Sequence, residues 1–306
     1  MPFWRKDTPE EIRAREAQEA AIKALESGDI PPIARNRLEH ERKHGNGFFT
    51  SDLSCREFLL LKEAGLQTLG QVMGTAFFRV RFGGTTNFNF NRSTREFTDL
   101  TAVQTNSRRA AINRMKREAE LLGASGVVGV RITQRGHSWA GGLSEFTAIG
   151  TAIKIPGRPE NQPPFSSSLN GQEFWQLHQA GYQPRAVVFG VCSYYIFTDQ
   201  ATRAMLYTWL GGNNTNNQEV NLYTQGFYSA RELASSRMLT AMRQCQADGV
   251  IGVDFDPDIE VIEYEVNNRE HQDLLCNFTM LGTAISKAKP GLKSPPPLMC
   301  LNLATR

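Results

Sequence analysis

The sequence predicts an α+β protein built from two tandem copies of a small sheet-plus-helices domain behind a charged helical extension. Three observations predict it: a repeat in three ordered blocks, a Pro-rich stretch between the copies, and a switch of hydrophobic period from two to about 3.6 within each copy. The run FTSDLSCREFLLLKEAGLQTLGQVMG (Phe49–Gly74) recurs without a gap as FSSSLNGQEFWQLHQAGYQPRAVVFG (Phe165–Gly190). RMKREAELLGASGVVGV (Arg114–Val130) recurs as RMLTAMRQCQADGVIGV (Arg237–Val253), and FTAIGTAI (Phe146–Ile153) as FTMLGTAI (Phe278–Ile285).

Residues 1–47 form the extension. Its stretch 8–44 holds eight acidic and seven basic side chains. Thr8 as N-cap, Pro9 at N1 and Glu11 at N3 predict a helix that Gly28 ends, and IPPIARNRL (Ile30–Leu38) restarts a second short one. The apolar stripe, Ile12 with Ala20 and Ala24, is thin. Residues 1–45 are therefore expected to face a protein partner rather than enter either core.

The first copy spans 48–155 and the second 165–289. In each, a short strand leads into a capping box, Ser54 with Glu57 and Asn170 with Glu173, and a helix of little more than one turn. Gly65 and Gly181 stand where such a helix needs a left-handed residue, and the strands LGQVMGTAFFRVRF and AVVFGVCSYYIF follow. A second helix buries Ala111, Met115, Ala119 and Leu122, matched by Ala234, Met238, Met242 and Cys245 at the same spacing. GVVGV and GVIGV read as buried strands, and FTAIGTAI and FTMLGTAI as the last strand of each sheet. Between the copies, 156–164 is a stiff linker with four prolines, and 290–306 is a tail.

A chain of 306 residues with 40% apolar side chains has ample material for a core, so disorder is excluded for most of it. A net charge of +3 implies neither a nucleic-acid nor a membrane partner. The charge is unevenly divided. Residues 48–158 carry 15 basic and 8 acidic side chains, a surplus of +7, whereas 159–306 carry 10 and 14, a surplus of −4. Opposite signs on related domains suggest that they meet across an assembly. The five cysteines (Cys55, Cys192, Cys245, Cys276, Cys300) are scattered, without a C-x-x-C pair, and fit buried thiols in a reducing compartment. The charged N-terminal residues and the lack of eighteen consecutive apolar residues set the expected location as cytoplasmic.

The strand ending V-M-G or V-F-G, the R-M helix, the L-G-A-S-G-V-V-G-V or Q-A-D-G-V-I-G-V step and the final G-T-A-I together resemble the YbjQ-type domain, a family named for heavy-metal binding. The resemblance covers most of the chain. It implies a small α+β domain that closes into a pentameric ring, and it implies no known reaction. Two departures stand out. Most members have one domain per chain, and the G-G step before the second helix is replaced by LTAVQTNSRR and YTQGFYSARE.

Candidate sites are few. A duplicated Cys or His metal site would repeat its ligands, and these do not recur: Cys192 aligns with Ala76, Cys245 with Leu122 and His178 with Lys62. His40 and His44 share a helix face but lack a third ligand. The run DFDPDIEVIEYE puts Asp254, Asp256, Asp258 and Glu260 on one face of a strand, the one oxygen-rich candidate for a divalent cation, against the plainer reading of a charged edge strand marked by Pro257. Arg79, Arg81, Arg92 and Arg95 interleave with Phe78, Phe82, Phe88, Phe90 and Phe97, the pattern of a single-stranded nucleic-acid platform, or of a hairpin with one buried aromatic face. The second copy keeps aromatics at Tyr194, Tyr195, Phe197, Tyr207 and Trp209. No triad, Walker loop or H-E-x-x-H is present. Arg114 and Arg237 read as contacts to a neighbouring subunit or a helix end, and Ser107, Arg108 and Arg231 as residues near a helix N-terminus able to hold an anion.

The function expected from these residues is a non-enzymatic, ring-forming scaffold that assembles with itself, pentameric or as two stacked rings, with no cofactor. A metal ion or small ligand in a ring cavity is the alternative, and nucleic-acid binding through the basic first domain is the second alternative. Nucleic acid and membrane are not expected as partners.

Overall fold

The computed structural model describes residues 8–44, 50–79, 93–137, 142–159, 161–207, 218–266 and 269–288. In chain order the elements are α1 (Pro9–Glu26), α2 (Pro32–His44), α3 (Cys55–Glu63), β1 (Gln67–Arg79), β2 (Arg95–Glu96), α4 (Thr98–Leu121), β3 (Gly126–His137), β4 (Leu143–Lys154), β5 (Phe165–Ser166), α5 (Gly171–Gln179), β6 (Tyr182–Ile196), α6 (Gln200–Tyr207), α7 (Asn221–Gln244), β7 (Gly249–Val266) and β8 (Arg269–Lys287). The protein is α+β, with two sheets ordered β1-β4-β3-β5 and β2-β6-β8-β7. Its residues divide into two units: 1–77, 108–135 and 145–177 in the first, and 78–107, 136–144 and 178–306 in the second.

In the first unit, α4 buries Ala111, Met115 and Ala119 completely, the face expected of the second helix, while Leu122 falls just past its end and is half-buried. β5 runs parallel to β3, with Phe165 opposite Gly126. The Phe165 ring lies where a side chain at Gly126 would have to stand and stacks on Phe174 of α5, centroids 5.7 Å apart. These two rings pack with Leu61, Leu66, Val128 and Ile153. Residues 165–177, read as the opening of the second copy, thus complete the sheet of the first. Both capping boxes form. Ser54 and Glu57 bond each other's backbone N–H at 3.3 and 2.7 Å, as do Asn170 and Glu173 at 2.9 and 3.0 Å.

The extension is helical as expected, with the Thr8–Glu11 capping box and a break at Gly28, φ +80°. Its placement corrects the reading of a segment outside both cores. α1 buries no residue, but Ile30 and Leu38 enter the core of the first unit. Burying one such side chain contributes about 1.5–3 kcal/mol. Asp29 holds the segment to α4 through Arg117 (3.3 Å) while also pairing with Arg35, and the Arg114 guanidinium donates to the Leu25 carbonyl at 3.2 Å.

In the second unit, β2 pairs antiparallel with β6. Phe97 stacks on Tyr195 at 5.1 Å and, with Leu100 and Leu275, forms a small cluster. α7 lays Ala230, Ala234 and Met238 on Val188, Cys192, Cys276, Phe278 and Met280. GVIGV is only partly buried, unlike GVVGV, because β7 ends its sheet whereas β3 is flanked by β5. Two further expectations change. LTAVQTNSRR and YTQGFYSARE lie inside α4 and α7, which start earlier than the repeat blocks suggested. The aromatic hairpin expected after Tyr195 gives way to α6, with Tyr207 its last residue and Trp209 outside the described residues.

Corresponding residues of the repeat do the same work in the two sheets. Arg114 donates to the Thr75 carbonyl at 2.7 Å, and Arg237 to the Val191 carbonyl at 2.9 Å. Both guanidiniums tie a helix to a strand of their own unit, and Arg114 also reaches the Leu25 carbonyl at the end of α1, in line with the helix-end alternative. The ends of α4 and α7 also match. Gly123 (φ +74°) and Gln246 (φ +52°) are left-handed residues, followed by Ala124 N–H to the Ala119 carbonyl (2.9 Å) and Ala247 N–H to the Met242 carbonyl (3.3 Å). Gln246 is the one described non-glycine residue with positive φ. A side chain there costs about 1–2 kcal/mol, partly offset by the greater unfolded freedom of glycine. Gln246→Gly is therefore expected to stabilise the protein by about 0.5–1 kcal/mol, read as a raised denaturation midpoint with unchanged slope.

Candidate functional site

The acidic run lies on β7 as expected. Asp254, Asp256, Asp258 and Glu260 face the same way, opposite Leu281, Thr279, Asn277 and Leu275 of β8. Alternate residues of a strand stand about 7 Å apart, so a straight run spreads its carboxylates rather than wrapping them around one ion. Among the described residues no three His, Cys, Asp or Glu groups are arranged to hold a metal ion. Burial, and then the neighbouring Asp258, push the Glu260 carboxyl up, against a bond from Asn277 Nδ2 at 3.0 Å. A charged edge strand is what this geometry builds.

Of the arginine set, Arg79 at the end of β1 and Arg95 in β2 are exposed, and Arg81 and Arg92 lie outside the described residues, as do Phe82, Phe88 and Phe90. Phe97 and Tyr195 stack on each other inside the second unit, so these two rings are not a platform for bases. Ser107 and Arg108 sit in the middle of α4 and Arg231 in the middle of α7, not at an N-terminus. Ser107 bonds the Val103 carbonyl at 2.6 Å. Arg108 is buried, bonded to Gln134 at 2.9 Å and set over the Phe146 ring at 5.0 Å. The helix N-terminus that the anion reading needed is therefore not formed by these residues.

Cys192 and Cys276 are buried and free, Cys245 is half-buried, Cys55 is exposed on α3, and Cys300 lies outside the described residues. Burial pushes the Cys192 thiol up to about 12, helped by Glu96 and opposed by Arg237, and burial with Asp258 pushes Cys276 up to about 11. A thiol so far from ionising is a poor nucleophile. In native protein at pH 8, Ellman's reagent is expected to modify Cys55 within minutes and to leave Cys192 and Cys276 unmodified until denaturant is added.

The most elaborate polar group was not foreseen. Asp273 on β8 is fully buried and accepts from the Tyr195 hydroxyl, from the Tyr264 hydroxyl at 2.7 Å and from the Thr198 N–H at 2.8 Å. Arg203 stands 3.8 Å from it, its guanidinium over the Phe197 ring. Burial, and then the bond to Asp273, push the Tyr195 phenol far above its ordinary range, so its hydroxyl acts as a donor rather than a base. This cluster locks the ends of β6, β7 and β8 together and presents no nucleophile. An acid directly before the apolar pattern LLCNFTML was its only sequence signal. Nearby, Ile196, Tyr223, Phe227, Tyr228, Ile259 and Leu274 line an apolar groove of about 330 Å³ between α7 and the sheet.

The α+β units and glycine-stepped strands are those that the resemblance to YbjQ-type domains implies. Residues 63–156 match the family model described as "Putative heavy-metal-binding". The Encapsulin nanocompartment protein Rv1762c of Mycobacterium tuberculosis is 38% identical over 238 residues, which cover 76% of this chain and 85% of the relative. The chain belongs to the family of that protein. A UPF0145 protein of Halorubrum lacusprofundi is 37% identical over 106 residues, 34% of this chain and 98% of its own length, and one of Psychrobacter arcticus is 40% identical over 84 residues, 25% and 52%. No solved structure matches the chain significantly. No helix among the described residues is long and apolar enough to cross a membrane.

Proposed function

We propose that this chain is a non-enzymatic assembly protein of the cytoplasm, a scaffold of two YbjQ-like copies, 48–155 and 165–289, whose partner is further copies of itself. The observation that carries the reading is the outer face of β1. β1 is a terminal strand of its sheet, and Met73 and Phe77 stand on it 49% and 55% exposed. Large apolar side chains on a sheet edge are a liability in a monomer and a contact in an oligomer. Glu118 accepts the Met73 N–H at 2.9 Å, occupying one edge donor, so side chains rather than strand addition would carry that contact. The relative named as an encapsulin nanocompartment protein supports a role in assembly, and the YbjQ resemblance suggests five-fold closure, as one ring or two stacked rings.

Met73→Lys with Phe77→Lys tests the surface. Both side chains are half-exposed, so the fold is expected to survive while the mass measured by light scattering drops toward one chain. Unchanged oligomer mass in the folded double variant would remove β1 from the interface.

A further inference from the structure

The outer edge of β3 is covered by residues 167–169, which open the second copy. The Gly129 N–H donates to the Leu169 carbonyl at 2.9 Å, the Val130 N–H to the Ser167 carbonyl at 2.9 Å, and the Ser167 N–H to the Val127 carbonyl at 2.8 Å. Under that cover Val127 and Val128 are 0% exposed and Val130 is 1% exposed.

β7 is the counterpart of β3 in the second unit, and among the described residues no strand pairs with its outer edge. There Val250, Ile251 and Val253 are half-buried and Gly252 is exposed. The backbone is nevertheless set in the same way. Gly252 has φ +58° where Gly129 has φ +65°. The register of β7 on β8 passes over Gly252 and Val253, the counterparts of the two β3 donors.

The repeat also holds a second covering segment. Residues 51–53 (SDL) stand in the first copy where 167–169 (SSL) stand in the second. Their local shape is the same. The Leu53 N–H donates to Ser51 Oγ at 3.1 Å and the Leu169 N–H to Ser167 Oγ at 3.2 Å, each just ahead of its capping box. A side-chain turn of this kind sets the backbone before any partner arrives. Among the described residues, the Ser51 N–H, the Ser51 carbonyl and the Leu53 carbonyl make no backbone bond, whereas all three counterparts bond to β3.

We infer that residues 50–53 of a second copy of this chain add to the outer edge of β7, parallel to it, as 166–169 add to β3. The inference rests on the self-assembly proposed above and gives it a second contact, separate from Met73 and Phe77. The Gly252 and Val253 N–H groups donate to the Leu53 and Ser51 carbonyls of the second copy, and its Ser51 N–H donates to the Val250 carbonyl. Main-chain bonds of this kind supply the affinity in strand addition. The occupant is a second chain because β7 pairs with β8 alone while the chain's own 51–53 is already folded. Covering segment and covered edge are different surfaces, so the contact is head-to-tail, the kind that closes a ring when the rotation permits.

A cross-link tests it. Val127 lies opposite Ser166, which sets Val250 of one chain opposite Thr50 of the next, at the ~4.8 Å spacing of paired strands and within reach of a disulfide. Two chains, both with Cys55→Ser, are co-expressed, one tagged and carrying Val250→Cys, the other carrying Thr50→Cys. Mild oxidation is expected to give a covalent dimer with one of each chain, which disappears when either substitution is left out. Circular dichroism and mass photometry of the same sample report its fold and its assembly. A folded oligomer that yields no mixed dimer overturns this inference and leaves the self-assembly reading in place, whereas a folded monomer overturns both. An internal disulfide without dimers, in a chain carrying both substitutions, also overturns it. Hydrogen exchange in the unaltered chain gives a reading free of substitutions, with the Gly252 and Val253 amides exchanging about tenfold or more slower in the oligomer than after dilution to monomer. Equal rates in the two states would contradict the contact.

Discussion

Replacing Gly190 with alanine is expected to cost about 3 kcal/mol or more and to leave little folded protein at 37 °C. A Cβ at Gly190 would fall on the Ala234 carbonyl oxygen of α7, with the Ala234 carbon at 2.8 Å and the Met238 nitrogen at 2.9 Å. These are backbone atoms, which cannot rotate away, so the helix must lift off the strand and give up packing over Cys192, Phe278 and Met280. Gly74 repeats the arrangement against Ala111 and Met115 of α4, with the Arg114 Cβ at 2.9 Å, and Gly74→Ala should be comparably severe. Gly249→Ala is the control. A Cβ there meets nothing within 4 Å, and the change should lie within about 0.5 kcal/mol of the unaltered protein. Thermal melts of the three variants separate the cases. Equal melting temperatures would mean that helices and strands do not approach this closely.

Asp273→Ala should cost about 3–5 kcal/mol. It strands the hydroxyls of Tyr195 and Tyr264 and the Thr198 N–H, and leaves Arg203 beside an apolar wall. Asp273→Asn keeps one carbonyl acceptor and should fall between the two. Urea denaturation reads both. A loss below about 1 kcal/mol for alanine would show that water satisfies these donors and that the cluster does not hold the strand ends together.

Much of the fold was legible because duplication prints each structural demand twice. Gly74 and Gly190, Arg114 and Arg237, and the two capping boxes stand at matching places in the repeat, and each keeps a local job in the structure. What repetition could not show is the complementation of each sheet by residues from the other copy. β5 with α5 on one side, and β2 with the start of α4 on the other, obey the same local rules in either place, and only the tertiary contacts of Phe165 and Phe97 decide. Docking of α2 was missed for a related reason. Leu38 is one apolar residue on a charged helix, too weak a periodic signal, yet it is fully buried. Asp273 was invisible because its partners lie 9, 75 and 78 residues away and no local spacing links them. The acidic strand was legible from its alternation, since Asp254, Asp256, Asp258 and Glu260 share one face of the terminal strand β7.

Mass photometry of the unmodified chain at nanomolar and micromolar concentration tests the central claim most directly. Assembly predicts particles at integer multiples of 34.2 kDa, with five chains, or ten in two stacked rings, as the dominant species. A single population at 34.2 kDa across that range would contradict it.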